Sequence, residues 1–213
     1  DVYKRQRHGI IETYEWDFTS DGIYDYKETP TDAPDGAFDG KTTHVYGDNG
    51  VYTVTLRVTD ETGASDTDTC VITVLNVAPI VDALPPITID EGETVSFTGH
   101  ATDPGSDDLK FTWDWGYSGF ADTINTYLNN PPNPDPYPSP EINPRDVTDT
   151  ASKTYGDNGV FTVTLTVEDD DGGSTIVTTT VTVGNVEPSV DSLSSLTIDE
   201  GQTASFTGHA TDP

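Results

Sequence analysis

The sequence predicts an all-β fold in which similar β-sandwich domains follow one another along the chain. Three observations support this prediction: long phrases recur at a fixed interval, apolar and polar residues alternate within them, and short turn-forming sequences separate them. Strict alternation is the pattern of a strand that buries one face. No stretch of the sequence shows helical spacing of useful length.

The recurring phrases lie 109 residues apart. Residues 46–56 (YGDNGVYTVTL) recur as residues 155–165 with a single difference, and residues 88–104 recur as residues 197–213 with two differences. Self-similarity at one long interval indicates tandem structural units, here of roughly 100 residues each.

An earlier pair of phrases, YEWDF from Tyr14 and FTWDW from Phe111, is only 97 residues apart. The difference arises from a proline-rich insertion at 129–144 in the second copy. Such a segment favours an extended polyproline conformation and cannot join the interior of a sheet. We expect either an exposed, semi-rigid loop or a docking surface around Tyr137 and Ile142.

The repeats set the expected domain boundaries. Residues 9–77 form a domain that lacks its opening strands, residues 78–186 form a complete domain, and residues 187–213 form the opening strands of a third. Residues 1–8 match no part of either repeat, so we expect them to be a foreign or artefactual extension.

Alternation assigns the buried face of each strand. The residues expected to face a core are Tyr52, Val54, Leu56 and Val58, their counterparts Phe161, Val163, Leu165 and Val167, and the sets Val95, Phe97, Gly99, Ala101 and Phe111, Trp113, Trp115. Turn sequences such as Asp-Asn-Gly separate these runs. About seven short strands, with a Trp on a middle strand and a Tyr before a late one, predict an immunoglobulin-like sandwich.

The phrases WDF, FTWDWG, YGDNGVYTVTLRVTD and YGDNGVFTVTLTVEDDDGG resemble the polycystic-kidney-disease (PKD) domain, which pairs a W-D-F-G strand with a Y-T-V-T-L-T-V-x-D strand. The resemblance covers nearly the whole chain beyond about residue 9. It departs from the family in one loop, where the usual WDFGDG is WDFTSDG at Trp16 and WDWGYSG at Trp113. The resemblance implies a spacer or adhesion module of extracellular or cell-surface proteins, and it implies no activity.

The chain is strongly acidic, with 38 acidic and 9 basic residues and a formal net charge of −29. Such a surface repels nucleic-acid phosphates and anionic lipids, which excludes both as expected partners. It attracts divalent cations and keeps a long extracellular chain soluble. No run of 18 apolar residues is present, so we expect no membrane insertion of this segment.

No catalytic constellation is visible in the sequence, so we expect no enzyme. His100 and His209 occupy the same repeat position, out of phase with the core, and are expected to face solvent. The single Cys70 is in phase with Ile72 and Val74, and we expect it to be a small buried core residue.

Calcium-binding PKD domains of secreted collagenases use an Asn before the first strand, acidic residues before the W-D strand and an Asp after the V-T-L-T-V strand. The resemblance therefore implies a calcium site formed by Asn76, Asp103, Asp107 or Asp108, and Asp169. Oxygen ligands of this kind suit Ca²⁺. The alternative is that these residues only shape solvated turns. A second candidate cation loop consists of Asp17, Asp21 and Asp25 around Gly22, which resemble half of an EF-hand-type loop.

These features predict a non-enzymatic, extracellular structural repeat protein, such as a stalk, surface-layer or fibre component. An adhesive role in addition to the structural one is compatible with this prediction. The alternative is a carbohydrate- or protein-binding accessory module of a secreted hydrolase, which an exposed row of aromatic residues would favour. The expected partners are neighbouring repeats or other copies of the chain, including head-to-tail strand donation. A polysaccharide or a matrix protein is a further expected partner.

Overall fold

The computed structural model describes residues 9–33, 35–118, 121–129 and 143–212. Within these ranges the chain forms fourteen strands and no helix, as the sequence predicted. The N-terminal extension 1–8 and the insertion residues 130–142, with Tyr137 and Ile142, lie outside the described residues. Across the described ranges, no helix is long and apolar enough to cross a membrane.

Contacts divide the chain into two units. Unit 1 comprises Asp1–Val77, Pro104–Asp107 and Leu128–Arg145, and unit 2 comprises Ala78–Asp103, Asp108–Tyr127 and Asp146–Pro213.

Unit 1 contains one antiparallel sheet of four strands. They are β1 (Ile11–Asp17), β2 (Tyr26–Glu28), β3 (Gly50–Asp60) and β4 (Ser65–Val74), in the order β2-β1-β3-β4. The β3–β4 ladder is the longest, running from the pair Gly50–Val74 to the pair Thr59–Ser65. The described residues of unit 1 form no second sheet over this one.

One face of this sheet therefore has no second sheet over it in the described residues, and we call it the open face; Cys70 and Ile72 on this face are exposed, whereas Val54 is buried. Cys70 is exposed, so its predicted burial is wrong. Thr179 occupies the same repeat position in unit 2 and is buried there. The alternation placed Cys70 on the correct face, but burial also requires a second sheet, which unit 1 lacks in its described residues.

Unit 2 is a complete two-sheet sandwich. Its strands are β5 (Ile80–Val81), β6 (Ile87–Asp90), β7 (Thr94–Asp103), β8 (Leu109–Asp114), β9 (Thr123–Tyr127), β10 (Arg145–Thr154), β11 (Gly159–Glu168) and β12 (Ser174–Gly184). One sheet has the order β10-β7-β5 and the other the order β6-β12-β11-β8-β9. The pairing of β6 with β12 is parallel, and the pairings of β5 with β7, β8 with β9, β8 with β11 and β11 with β12 are antiparallel.

The core of unit 2 lies between these two sheets, and the predicted faces are confirmed. Its buried side chains include Val95, Phe97, Ala101, Phe111, Trp113, Trp115, Val163, Leu165 and Val167. Gly99 lies in the same register, and a Cβ atom there would be 2.6 Å from Leu165 Cδ2 and 3.0 Å from Trp113 Cζ2. The absence of a side chain at Gly99 therefore makes room for the tryptophan.

The tyrosine predicted before a late strand is also present in unit 2. Tyr155 precedes β11, and its hydroxyl donates a hydrogen bond of 2.9 Å to the Trp115 carbonyl oxygen. Burial raises the pKa of Tyr155 to about 12. The hydrogen bond links the turn before β11 to Trp115, the residue that follows β8. It also satisfies a hydroxyl that would otherwise be costly to bury.

The last segment repeats the opening of unit 2. Strands β13 (Ser189–Val190) and β14 (Ala210–Thr211) pair antiparallel, with Ser189 opposite Thr211. In β5 and β7 the equivalent pair is Ile80 and Thr102. The segment thus adopts the register of an opening strand pair, although its side chains are almost all exposed.

Candidate functional site

Two of the predicted calcium ligands meet at one end of unit 2. Asp103 ends β7 and Asp169 follows β11, and their exposed fractions are only 2% and 7%. A carboxylate oxygen of Asp103 lies within 4.8 Å of one of Asp169. The two turns are therefore close enough for both side chains to contribute oxygen atoms to one cation.

The Asp169 carboxylate also shapes its own turn. Its Oδ1 accepts hydrogen bonds from the backbone N–H groups of Asp171 at 3.1 Å and Gly173 at 2.6 Å. Asp60, the same repeat position in unit 1, accepts the N–H groups of Thr62 and Ala64 in the same way. Hydrogen bonds from Thr62 lower the pKa of Asp60. A turn-forming role thus accounts for this aspartate in both copies.

Asp108 is buried next to this end of unit 2. Its backbone N–H donates a hydrogen bond of 2.9 Å to Asp170 Oδ1. Although Asp170 is a surface residue, desolvation by neighbouring protein atoms raises its pKa. Asp108 and Asp170 thus join the turn before β8 to the turn after β11.

The other predicted ligands, Asn76 and Asp107, are grouped with unit 1. Within unit 1, Asp107 lies beside Asp48, with carboxylate oxygens within 4.8 Å, and both side chains are buried. Asp48 was not among the predicted ligands. The repeated YGDNG phrase is the sequence signal at this residue, but the phrase by itself predicts only a turn.

A further acidic group in unit 1 consists of Glu28, Asp35 and Asp39. The Glu28 carboxylate is fully buried and accepts the backbone N–H groups of Asp39 at 3.1 Å and Gly40 at 2.8 Å. Asp39 in turn forms an ion pair with Lys41. These contacts anchor the loop after β2, so the group has a structural explanation that needs no metal.

The second predicted cation loop closes on its own backbone. Asp17 accepts the N–H groups of Ser20 at 2.7 Å and Gly22 at 3.0 Å, and Asp25 accepts the N–H of Phe18 at 2.8 Å. The carboxylates of this loop thus take part in a turn instead of pointing to one common centre.

His100 faces outward from β7, as predicted. Its Nδ1 lies 2.9 Å from Asp82 Oδ2, and its Nε2 lies 2.9 Å from Asp146 Oδ1. Hydrogen bonds to Asp146 and then Asp82 raise the pKa of His100, because both carboxylates favour the protonated ring. The arrangement connects the three strands of the smaller sheet across its outer surface.

Unit 2 also contains a buried carboxylate that was not among the predicted functional residues. Asp149 accepts hydrogen bonds from Trp113 Nε1 at 2.6 Å, from Asn125 Nδ2 at 2.9 Å and from the Tyr127 hydroxyl at 2.6 Å. The hydrogen bond to Asp149 raises the pKa of Tyr127 to about 12. A sequence signal existed, because Asp149 alternates in phase with the apolar Val147 and Ala151.

Comparison with known proteins places these features in a family. Residues 5–74 and 80–183 match the PKD domain. Among solved structures, the PKD domain of an M14-like peptidase from Thermoplasmatales archaeon SCGC AB-540-F20 is 22% identical and covers 50% of this chain and 92% of its own, with a TM-score of 0.33. The PapD-like domain 7 (ASH) of human CEP192 is 8% identical and covers 53% of this chain and 89% of its own, with a TM-score of 0.31.

No curated protein sequence matches the chain significantly. The two family matches together span well over half of the 213 residues, and they contain both W-D strands and both YGDNG phrases. The chain therefore belongs to the PKD domain family and carries two PKD domains in tandem.

Proposed function

We propose that this chain is a non-enzymatic structural segment of an extracellular protein, such as a stalk, a surface-layer component or a fibre. PKD domains are usually extracellular, and they are typical accessory modules. The observation that carries the proposal is the orientation of the aromatic side chains in unit 2. They pack inside the sandwich and leave its outer faces without a row of aromatic residues in the part of the chain that the structure describes.

Most of the large aromatic side chains in the sandwich of unit 2 pack in its core. Those that are fully buried are Phe97, Phe111, Trp113, Trp115 and Tyr155. A surface that binds extended polysaccharides requires several exposed aromatic rings in a line, on which sugar rings can stack. Among the described residues of unit 2, Tyr117 beside Phe161 and Phe206 in the last segment are exposed, and two rings do not provide such a line.

The charged side chains that form ion pairs on the sheet of unit 1 have no charged counterparts in unit 2. Glu15 lies 2.8 Å from Arg57 and 3.6 Å from Lys27. The equivalent residues of unit 2 carry no charge: Thr112, Thr166 and Ile124. The two copies share the apolar residues of their strands and the residues that form their turns. This pattern favours selection for a stable repeated fold over selection for a repeated ligand surface.

A depletion assay tests the structural role against the accessory-module alternative. The purified chain is mixed with insoluble cellulose, chitin, bacterial cell-wall polysaccharide or fibrillar collagen, and the protein left in solution is measured after centrifugation. We expect no saturable depletion by any of these materials. Saturable binding to one of them would instead support a binding or adhesive module and would overturn the proposal.

We further propose that calcium stabilises unit 2 through Asp103 and Asp169. Two ionised carboxylates within 4.8 Å of each other repel by about 3 kcal/mol at an effective dielectric constant of about 20. Both are buried, so solvent screens this repulsion poorly. A bound Ca²⁺ reverses the sign of the interaction, because carboxylate oxygens of this kind are the ligands that the cation prefers.

A further inference from the structure

His100 is held between two carboxylates on the outer surface of the smaller sheet of unit 2. Its Nδ1 lies 2.9 Å from Asp82 Oδ2, and its Nε2 lies 2.9 Å from Asp146 Oδ1. Because the sheet has the order β10-β7-β5, the histidine on the central strand β7 reaches one partner beside β5 and the other on β10. One imidazole ring therefore connects the central strand to segments on both sides of it.

The two contacts together require a doubly protonated ring. A carboxylate accepts hydrogen bonds and, when it is ionised, has no proton to donate. Each ring nitrogen that is bonded to a carboxylate must therefore carry a hydrogen atom. A neutral imidazole carries one such hydrogen, whereas the imidazolium carries two. The geometry thus specifies the charged form of His100, and the removal of one proton must break one of the two contacts.

Uncharged side chains occupy the other outward positions around His100. These positions, on β7 and on the segments beside it, are Thr98, Thr102, Ile80 and Thr148. Arg145, which begins β10, donates to the Leu128 carbonyl at 3.2 Å. The charged groups that act on the ring are the carboxylates of Asp146 and Asp82, and both raise the pKa of His100.

Asp82 is joined to His100 by its backbone as well as by its side chain. The Asp82 N–H donates to the His100 carbonyl at 3.0 Å, and this bond continues the ladder between β5 and β7. The backbone therefore keeps the Asp82 carboxylate beside Nδ1 whether the ring carries one proton or two.

The same pairing recurs in the last segment of the chain. The Asp191 N–H donates to the His209 carbonyl at 2.9 Å, and His209 Nδ1 lies 3.1 Å from Asp191 Oδ2. Asp191 and His209 occupy the repeat positions of Asp82 and His100. The backbone bond and the Nδ1 contact thus form one local motif. The Nε2 contact, by comparison, joins His100 to a residue that lies 46 positions further along the chain.

Asp146 is less firmly attached to the histidine than Asp82 is. It is the second residue of β10, which lies at the edge of its sheet, and its side chain is 78% exposed. An exposed carboxylate can turn into water at little cost once the ring no longer donates to it. A neutral ring that is protonated at Nδ1 also presents the lone pair of Nε2 to Asp146, and this lone pair repels the carboxylate.

We propose that the proton on His100 Nε2 is a removable link that fastens the start of β10 to the centre of its sheet. When the Nε2–H bond breaks, its electron pair stays on the ring nitrogen and the proton passes to water or hydroxide. Nδ1 keeps its hydrogen and its bond to Asp82, while Asp146 turns to solvent and the first residues of β10 lose a side-chain anchor. Reprotonation of the ring closes the link again, so the contact is a reversible pH-dependent device.

Nuclear magnetic resonance of the isotopically labelled full chain can follow both ring nitrogens of His100 from weakly acidic to alkaline pH. We expect Nε2 to lose its proton while Nδ1 stays protonated. The carboxyl carbon resonance of Asp146 should shift with the same midpoint, whereas that of Asp82 should shift little.

Amide hydrogen exchange reports on the strand itself. Protection of residues 145–148, corrected for the base catalysis of exchange, should fall by about two- to fivefold across the same titration, which is the factor expected for the loss of one exposed ion pair. Protection of the Asp82 amide should not change, because its bond to the His100 carbonyl does not depend on the ring.

Asp146→Asn is the decisive variant, because an amide group can either donate or accept a hydrogen bond. It can accept from the charged ring and donate to the lone pair of the neutral one. Protection of residues 145–148 should therefore become independent of the His100 titration. Asp122→Asn, which removes one exposed charge elsewhere in unit 2, is the matched control and should keep the pH dependence of the original chain.

Loss of the proton from Nδ1 instead of Nε2 would overturn the proposal, because Asp82 would then be the partner that is released. Constant protection of residues 145–148 throughout the titration would also overturn it, as would a pH dependence that Asp146→Asn leaves unchanged. This inference goes beyond the proposed structural role, and its failure would leave that role untouched.

Discussion

Trp113 Nε1 donates a hydrogen bond of 2.6 Å to Asp149 Oδ2, and this contact joins the two sheets of unit 2 across the core. Unit 1 satisfies the equivalent indole differently. Trp16 Nε1 donates to the carbonyl oxygen of Gly40 at 3.0 Å, and Gly40 occupies the repeat position of Asp149. Each copy thus pairs its tryptophan N–H, but only unit 2 uses a buried carboxylate to do so.

Replacement of Asp149 should destabilise unit 2 strongly. Asp149→Ala leaves the donors of Trp113, Asn125 and Tyr127 without their acceptor, which should cost about 3 kcal/mol or more of unfolding free energy. Urea unfolding followed by tryptophan fluorescence measures this loss. Asp122→Asn, at an exposed position, serves as the control. A change of less than about 1 kcal/mol for Asp149→Ala would show that the network contributes little.

A side chain at Gly99 should destabilise unit 2 by overpacking. The Cβ atom of Gly99→Ala would lie 2.6 Å from Leu165 Cδ2, and the required shift should cost about 1–3 kcal/mol of unfolding free energy. Thermal unfolding of the full chain measures the effect, with Gly156→Ala as a control that meets no neighbouring atom. Equal melting temperatures for the two variants would contradict the close packing at Gly99.

The outer surface of the smaller sheet should make the stability of unit 2 depend on pH. Asp146 and Asp82 raise the pKa of His100, so the folded state holds a proton that the unfolded state releases at lower pH. The stabilisation is complete below the unfolded pKa of about 6.5 and is lost as the pH rises through the higher folded value.

Melting temperatures of the original chain and of His100→Gln, measured from pH 6 to pH 9, test this dependence. The difference between the two proteins should be largest at the acidic end of the range and should shrink as the pH rises. His209→Gln, which removes a histidine whose Nδ1 lies 3.1 Å from Asp191 Oδ2, provides the comparison. A difference that stays constant with pH would show that the His100 proton does not contribute.

Calcium should raise the melting temperature of unit 2. A cation that binds only the folded state at a hundredfold excess over its Kd adds about 2.7 kcal/mol, which corresponds to a rise of about ten degrees for a domain of this size. Differential scanning calorimetry of the full chain, with millimolar calcium and then with a chelator, measures the shift. Magnesium should substitute poorly, since it demands a more rigid octahedral geometry.

The double variant Asp103→Asn/Asp169→Asn should lose the calcium-dependent rise while its calcium-free melting temperature stays similar or increases slightly. The exposed pair Asp122→Asn/Asp157→Asn removes the same number of charges elsewhere and should keep the rise. Superimposable traces of the original chain with and without calcium would leave Asp103 and Asp169 as turn-forming residues only.

Local pattern alone was sufficient for much of this fold. Alternation in residues 94–103 placed Val95, Phe97, Gly99 and Ala101 on one face, and all four are buried. The position of Tyr155 just before a late strand was equally predictable from the repeated YGDNG phrase. The physical reason is that a strand alternates its side chains whatever lies above it, so the side on which a residue lies is a local property.

Whether that side meets a core is decided only by tertiary structure. Cys70 and Thr179 share a repeat position and a face, but a second sheet covers Thr179 alone. The role of Asp149 likewise depends on donors that β8 and β9 supply from 22 to 36 residues earlier in the chain. Burial and hydrogen-bond pairing require partners from distant parts of the chain. A sequence pattern specifies which face of a strand is apolar, but it does not specify which segment covers that face.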